Sequence, residues 1–221
     1  MPQQDTFQLL DVFKREWFYS FLGALGLLGG AYVAEHFANV YAFEYLTRPT
    51  SVYVGDLFLD NFPIVDLSLI IVEGALFSIV VGTLFVVFLK PRYLLFTLKA
   101  VALFIIVRAL FVSLTHVGIY PGSIEMGFGF FDAIYSYLNF QTGFFFSGHT
   151  GLPVLMAFIF WEKRSLRFIF IALSCIFAVA VLLAHIHYSI DVLAAPFMAY
   201  GIFTLAQHFF PRDYKLVKSA P

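Results

Sequence analysis

The sequence predicts an all-α integral membrane protein of six transmembrane helices with both termini in the cytoplasm, and three observations predict it. First, 61% of the 221 residues are hydrophobic and only 12% are charged, with a mean hydropathy of +0.88; a soluble domain carries about 25% charged residues. Second, the apolar residues gather into six segments, near 17–40, 64–89, 98–117, 147–162, 167–185 and 189–210. Each is long enough, or nearly so, to cross a hydrocarbon core about 30 Å thick at about 1.5 Å per residue. Third, eleven of the thirteen Lys and Arg residues fall on one side of such an arrangement, which the positive-inside rule makes cytoplasmic.

Taken in order, residues 1–16 form an amphipathic cytoplasmic segment ending in Lys14 and Arg15. "MPQQDTFQLLDVFKREWF" has no small-residue cleavage site after a short apolar run, so the first span is expected to act as its own signal anchor. Lys90, Arg92 and Lys99 lie between the second and third segments, Lys163, Arg164 and Arg167 between the fourth and fifth, and Arg212, Lys215 and Lys218 after the sixth, in a cytoplasmic tail over 211–221. Loops 41–63, 118–146 and 185–189 are then exoplasmic. The fourth segment is the shortest and carries Pro153 in its first turns, where proline is tolerated. The lone Cys175 excludes an intrachain disulfide and a thiol metal cluster, and reads as a small buried hydrophobe. A net charge of −1 gives no electrostatic footprint for nucleic acid, which is not an expected partner. Residues 17–210 read as one compact helical domain, with no internal repeat.

Two stretches bring ionisable groups to the exoplasmic face. "FSGHTGLPVL" (146–155) opens the fourth span with Ser147, Gly148 and His149. Ser147 is a good N-cap, Gly148 lets a ligand approach the backbone, and the unpaired N–H groups of a helix start attract phosphate. "LLAHIHYSIDVLAAPF" places His187 and Asp191 four residues apart. With the sixth helix starting near Ser189, the carboxylate sits in its first turn and reaches back to the imidazole. A histidine oriented by a carboxylate is the usual preparation of a nucleophile or general base. Two imidazoles and a carboxylate at one depth suit in-line phosphoryl transfer, one imidazole attacking phosphorus and the other protonating the leaving oxygen.

Charges inside spans are costly, about 2.5–3.5 kcal/mol on insertion scales, so each needs a partner or a watery cavity. Arg108 and Glu73 lie at matching depths in the third and second spans. They are expected to approach one another, as a structural ion pair or with Glu73 holding Arg108 toward substrate phosphate. Thr115, seven residues beyond Arg108, lies on the same helix face and is read as lining the way from Arg108 to the histidines.

"FSGHTG" and "HYSIDV" resemble the two signature motifs of the sphingomyelin synthase family, a branch of the type 2 phosphatidic acid phosphatase superfamily. "RALFVSLT" (108–115) and "DLFLDNFPIVDLSLIIVEG" (56–74) extend the resemblance over roughly residues 55–205. It implies a six-helix catalytic domain with His149, His187 and Asp191 as the triad: His187 the nucleophile giving a phosphohistidine, Asp191 its orienting partner, His149 the general acid and then base. It implies no metal and no cofactor. The donor is a phospholipid and the acceptor a lipid alcohol, ceramide or diacylglycerol, or water, with the bilayer as medium. The arginine-rich first motif of the wider superfamily is absent, since "KPRYLLF" lies on the cytoplasmic side. The family often has acidic residues just before the second histidine and a few residues before "SGH"; here Ile186 and, approximately, Phe144 hold those places, which argues against a choline head group. His185 matches the family, as a hydrogen-bonding partner or an interfacial histidine.

Three functions fit this reading. The first is a lipid phosphotransferase or phospholipase C, the second a lipid phosphate phosphatase. The third, a non-enzymatic transporter or channel, predicts a continuous polar path, whereas the ionisable residues stop about halfway, at Glu73 and Arg108. The short chain points to a bacterial plasma membrane with the site facing the exoplasmic or periplasmic side.

Overall fold

A computed structural model describes residues 8–46, 48, 51–124 and 145–219. After a 3-10 turn at Leu9–Phe13, the described residues form helices α1 (Arg15–Leu46), α2 (Ile70–Leu89), α3 (Pro91–Leu114), α4 (Gly148–Ile159), α5 (Arg164–Leu183), α6 (Ser189–Phe209) and α7 (Pro211–Lys218), and no strand. Helix α2 has π-helical turns at both ends, Ile70–Gly74 and Phe85–Leu89. Prolines at the first residues of α3 and α7 fit, because that N–H has no intrahelical acceptor.

Five helices, α1, α2, α3, α5 and α6, are long and apolar enough to cross a membrane, and the chain is a multi-pass membrane protein. The fourth expected segment is a shorter helix than its apolar run. Ser147 caps its start, it ends at Ile159, and its 12 residues rise about 18 Å at 1.5 Å each. Pro153 is its sixth residue, just past the first turn, where it withholds the N–H that would otherwise bond the His149 carbonyl. Cys175 is exposed on α5 rather than buried: the buried face of that helix carries Ser174, Phe177, Ala180 and Val181.

Between membrane helices the gain comes from close contact rather than from expelling water, so small residues mark the packing faces. Ala24, Ala31, Ala38 and Ala42 make such a face on α1, and the last two pack with Ala109 and Val112 of α3. Helix α3 is the hub, packed against α1, α4, α6 and α7. The main core joins Leu95, Phe96 and Phe104 of α3 to Leu155 and Ile159 of α4 and Ala195, Ala199 and Ile202 of α6. Tyr93 stacks on Phe160 at 4.5 Å. Among the described residues helix α2 meets this body mainly through its ends, the first π turn against α5 and the second against α3.

At one end of the bundle, Lys99 pairs with Asp213 of α7 (2.6 Å) and donates to Ser20 of α1 (2.8 Å). Lys99, expected in a connection, is in the third turn of α3. The opposite end carries His149 and His187.

Candidate active site

The two histidine motifs are joined through the backbone before any side chain meets. Ser147 N–H donates to the carbonyl of Asp191 (3.1 Å), so the turn entering α4 is pinned to the first turn of α6. Ser147 is fully buried, and its hydroxyl caps α4 by accepting from Thr150 N–H (3.4 Å). Asp191 is the third residue of α6 and is buried. Its Oδ2 accepts from Tyr188 N–H (3.1 Å) and lies 3.3 Å from His187 Nδ1. A carboxylate on Nδ1 makes that nitrogen the donor and leaves Nε2 with its lone pair. The rings of His149 and His187 are 6.3 Å apart between centroids. His149 also hydrogen-bonds to the backbone of Ile71 in the first π turn of α2 and meets Phe177 of α5 edge-on at 6.1 Å. Its ring is thus held from a second side by a helix irregularity of the kind often found at functional sites.

Arg108, buried in α3, reaches the same place. Its Nε donates to the Phe146 carbonyl (3.3 Å), and a Cβ added to Gly148 would lie 3.4 Å from Nε. The guanidinium thus lies close against Gly148, at the mouth of α4. The carboxylate that pairs with Arg108 is Glu35 of α1, through Nη1. The expected approach of Glu73 is therefore corrected: among the described residues Glu73 has no ion pair and is only half-buried. The reason is packing, since α1 lies along α3 whereas α2 meets the body mainly at its ends. Glu35 was legible in the sequence as the acidic residue on the alanine face, four beyond Ala31 and three before Ala38, inside the first apolar segment.

The remaining expected residues are placed as follows. Thr115 caps the end of α3 and donates its hydroxyl back to the Phe111 carbonyl (2.8 Å), a local bond that reaches none of the site residues. Ile186 packs with the cluster of Ile71, Val181 and Val192, and Phe144 lies outside the described residues. His185 is buried, and among the described residues neither ring nitrogen has a hydrogen-bond partner. It ends α5 instead. With φ at 55°, its N–H bonds the Leu182 carbonyl (3.0 Å) and Ile186 N–H the Val181 carbonyl (3.1 Å), a Schellman stop in which glycine is the usual residue. Its ring meets Tyr120 edge-on at 5.4 Å.

A cap of loop segments covers this end. Val65 N–H and Ile124 N–H bond the last carbonyls of α5, at Leu183 (2.8 Å) and Ala184 (3.0 Å). Tyr188 donates its hydroxyl to Gly118 (2.8 Å). The Tyr120 hydroxyl donates to Asp60 (2.5 Å), and this bond, with burial and the nearby carboxylates, pushes the Tyr120 phenol up to about 12. Asp56, which the sequence did not single out by position, caps α6 from a distant loop. Its Oδ2 accepts from Ser189 N–H (2.7 Å) and hydroxyl (2.9 Å), while Oδ1 accepts from Phe58 and Leu59 N–H. Burial alone would raise its carboxyl, but these bonds together hold it below the usual carboxylate value. Asp56→Ala is expected to destabilise the protein by about 1 kcal/mol at neutral pH, the usual worth of a cap. Because the folded value is depressed, that difference is full above about pH 4 and closes as pH falls through the depressed value. Thermal unfolding in detergent across pH checks this; a pH-independent difference overturns it.

Residues 142–209, which hold both histidine motifs, match the family model described as PAP2 superfamily C-terminal. This match supports the type 2 phosphatidic acid phosphatase superfamily and an enzyme of lipid phosphatase or phosphotransferase type. No curated protein and no solved structure matches the chain.

Proposed function

We propose that this chain is a lipid phosphotransferase or phospholipase C of sphingomyelin synthase type, passing the phospho-head group of a phospholipid to a lipid alcohol or to water through a phosphohistidine. The observation that carries it is the 6.3 Å between the His149 and His187 rings, with Asp191 on His187 Nδ1. Ring centroids this close let both imidazoles address one phosphoryl group, since reacting atoms need to approach to about 3–3.5 Å. His187 Nε2 attacks phosphorus, an N–P bond forms and the P–O bond to the lipid breaks. His149 gives its proton to the departing oxygen, and Asp191 offsets the charge on the His187 ring. In the second half the acceptor hydroxyl yields its proton to His149, its oxygen attacks phosphorus and the N–P bond breaks. The N–H groups opening α4 and the Arg108 guanidinium lie where charge gathers on the phosphoryl oxygens, the arrangement that contributes most to such reactions. None of these roles requires a metal.

The same proposal takes six crossings, α4 being the short fourth, with both termini and eleven basic residues cytoplasmic. The site then faces the exoplasmic or periplasmic side of a bacterial plasma membrane. A lipid phosphate phosphatase is the second reading. It is favoured by the apolar Ile186 and Phe144, which leave no carboxylate at the places where the family has head-group acids. Purified protein incubated with labelled phospholipids, with and without ceramide or diacylglycerol, separates them. Release of diacylglycerol from intact phospholipid is expected. Release of inorganic phosphate from phosphomonoesters alone overturns this in favour of the phosphatase, and no product at all overturns both.

A further inference from the structure

Arg108 and Glu35 are both buried, at 8% and 6% exposure, on adjacent helices α3 and α1. Guanidinium groups offer planar, forked donors whose value in binding phosphate depends on orientation, unlike the point charge of lysine. In this site its donors are committed in different directions. Nη1 is taken by Glu35 on the α1 side, and Nε by the Phe146 carbonyl on the α4 side. Two anchors on opposite neighbours fix the plane of the group and its tilt, with its edge against Gly148. Without the first anchor, a long side chain six residues from the end of α3 is free to extend toward the nearest water, as arginines inside membranes do.

The second Glu35 oxygen, Oε2, is buried with no hydrogen-bond partner among the described residues. A structural ion pair at its best would use both oxygens against the fork; this one holds the guanidinium by one corner. Helix α1 brings no other acidic residue to its buried face, and it meets the site through this contact alone among the bonds to Arg108, Ser147, His187 and Asp191 given above.

We infer that Glu35 is a positioning residue, fixing the Arg108 guanidinium beside Gly148 so that it faces a phosphoryl group bound at the start of α4. The inference rests on the phosphoryl-transfer reading and extends it to a helix outside both histidine motifs. It differs from a counter-charge role in a way that two substitutions separate. Glu35→Asp keeps the charge but shortens the reach by one methylene; Glu35→Gln keeps the reach and removes the charge. If Glu35 only neutralised Arg108, Glu35→Asp would bind anions as wild type does, and Glu35→Gln would bind them more tightly.

Positioning predicts weaker binding of inorganic phosphate by both variants, about tenfold, which corresponds to about 1.4 kcal/mol. Titration calorimetry on detergent-purified, folded protein measures it, with KM and kcat on phospholipid as the second readout. A kcat loss larger than the KM change marks misplacement of a group used in the transition state. Wild-type phosphate affinity in Glu35→Asp, or tighter binding by Glu35→Gln, overturns the inference and leaves the phosphoryl-transfer reading standing. A wild type that binds no phosphate and turns over no phospholipid overturns both. If Glu35→Gln yields no folded protein, Glu35→Asp decides alone.

Discussion

Replacing His187 by alanine is expected to abolish formation of an acid-labile, alkali-stable phosphoenzyme with every substrate. His187 is the histidine whose Nδ1 is held by a carboxylate, Oδ2 of Asp191 at 3.3 Å, so it is the one that presents an oriented, basic Nε2. By contrast, His149 bonds to the backbone of Ile71, and among the described residues His185 has no hydrogen bond at either ring nitrogen. Asp191→Asn is the companion. It can still accept from Tyr188 N–H and keep the first turn of α6. It also removes the charge that favours the Nδ1–H form, and its amide can donate to Nδ1 and so move the proton to Nε2. Losing the orienting carboxylate of a reactive histidine costs on the order of 10⁴ in rate. Acid and alkali quenching after incubation with head-group-labelled phospholipid measures the phosphoenzyme directly. A burst that survives in His187→Ala would show that another residue attacks phosphorus.

The second large effect is a split between substrates in His149→Ala. If His149 protonates the leaving oxygen, its loss matters most for a poor leaving group such as diacylglycerol and little for an activated aryl alcohol. General acid–base assistance is worth about 10² to 10⁴ in rate, so the two substrates should diverge by that factor. The variant should keep a burst of aryl release and lose turnover, because the same imidazole must then activate the acceptor. Since His149 also bonds to the Ile71 backbone, thermal unfolding of the variant has to accompany the kinetics. Equal losses on both substrates would assign His149 another role.

The candidate triad was legible because it is local. Ser147, Gly148 and His149 are consecutive, His187 and Asp191 are four apart at a helix start, and helical geometry turns those spacings into contacts. The apolar runs were legible for the same reason, apart from the fourth, whose hydrophobicity continues through Phe160 and Trp161 into the turn that ends its helix. Residues whose partners lie far along the chain were not. Depth matching paired Arg108 with Glu73, yet depth says nothing about which helices are neighbours, and α1 packs along α3 where α2 does not. Asp56 caps a helix that begins 133 residues later. The role of His185 in ending α5 depends on a left-handed backbone that its residue type does not announce.

What the sequence alone determined is therefore the membrane class, the apolar helices and the residues of the histidine motifs, because hydropathy and helical period are properties of short stretches. What only the tertiary structure decided is which groups complete the site: Glu35 on Arg108, Asp56 on Ser189 and the Ser147 backbone on Asp191. The physical reason is that a helix in a bilayer gains little from hydrophobicity in choosing its neighbour. The choice falls to the fit of small residues, here the alanine face of α1, and that fit brings Glu35 to Arg108.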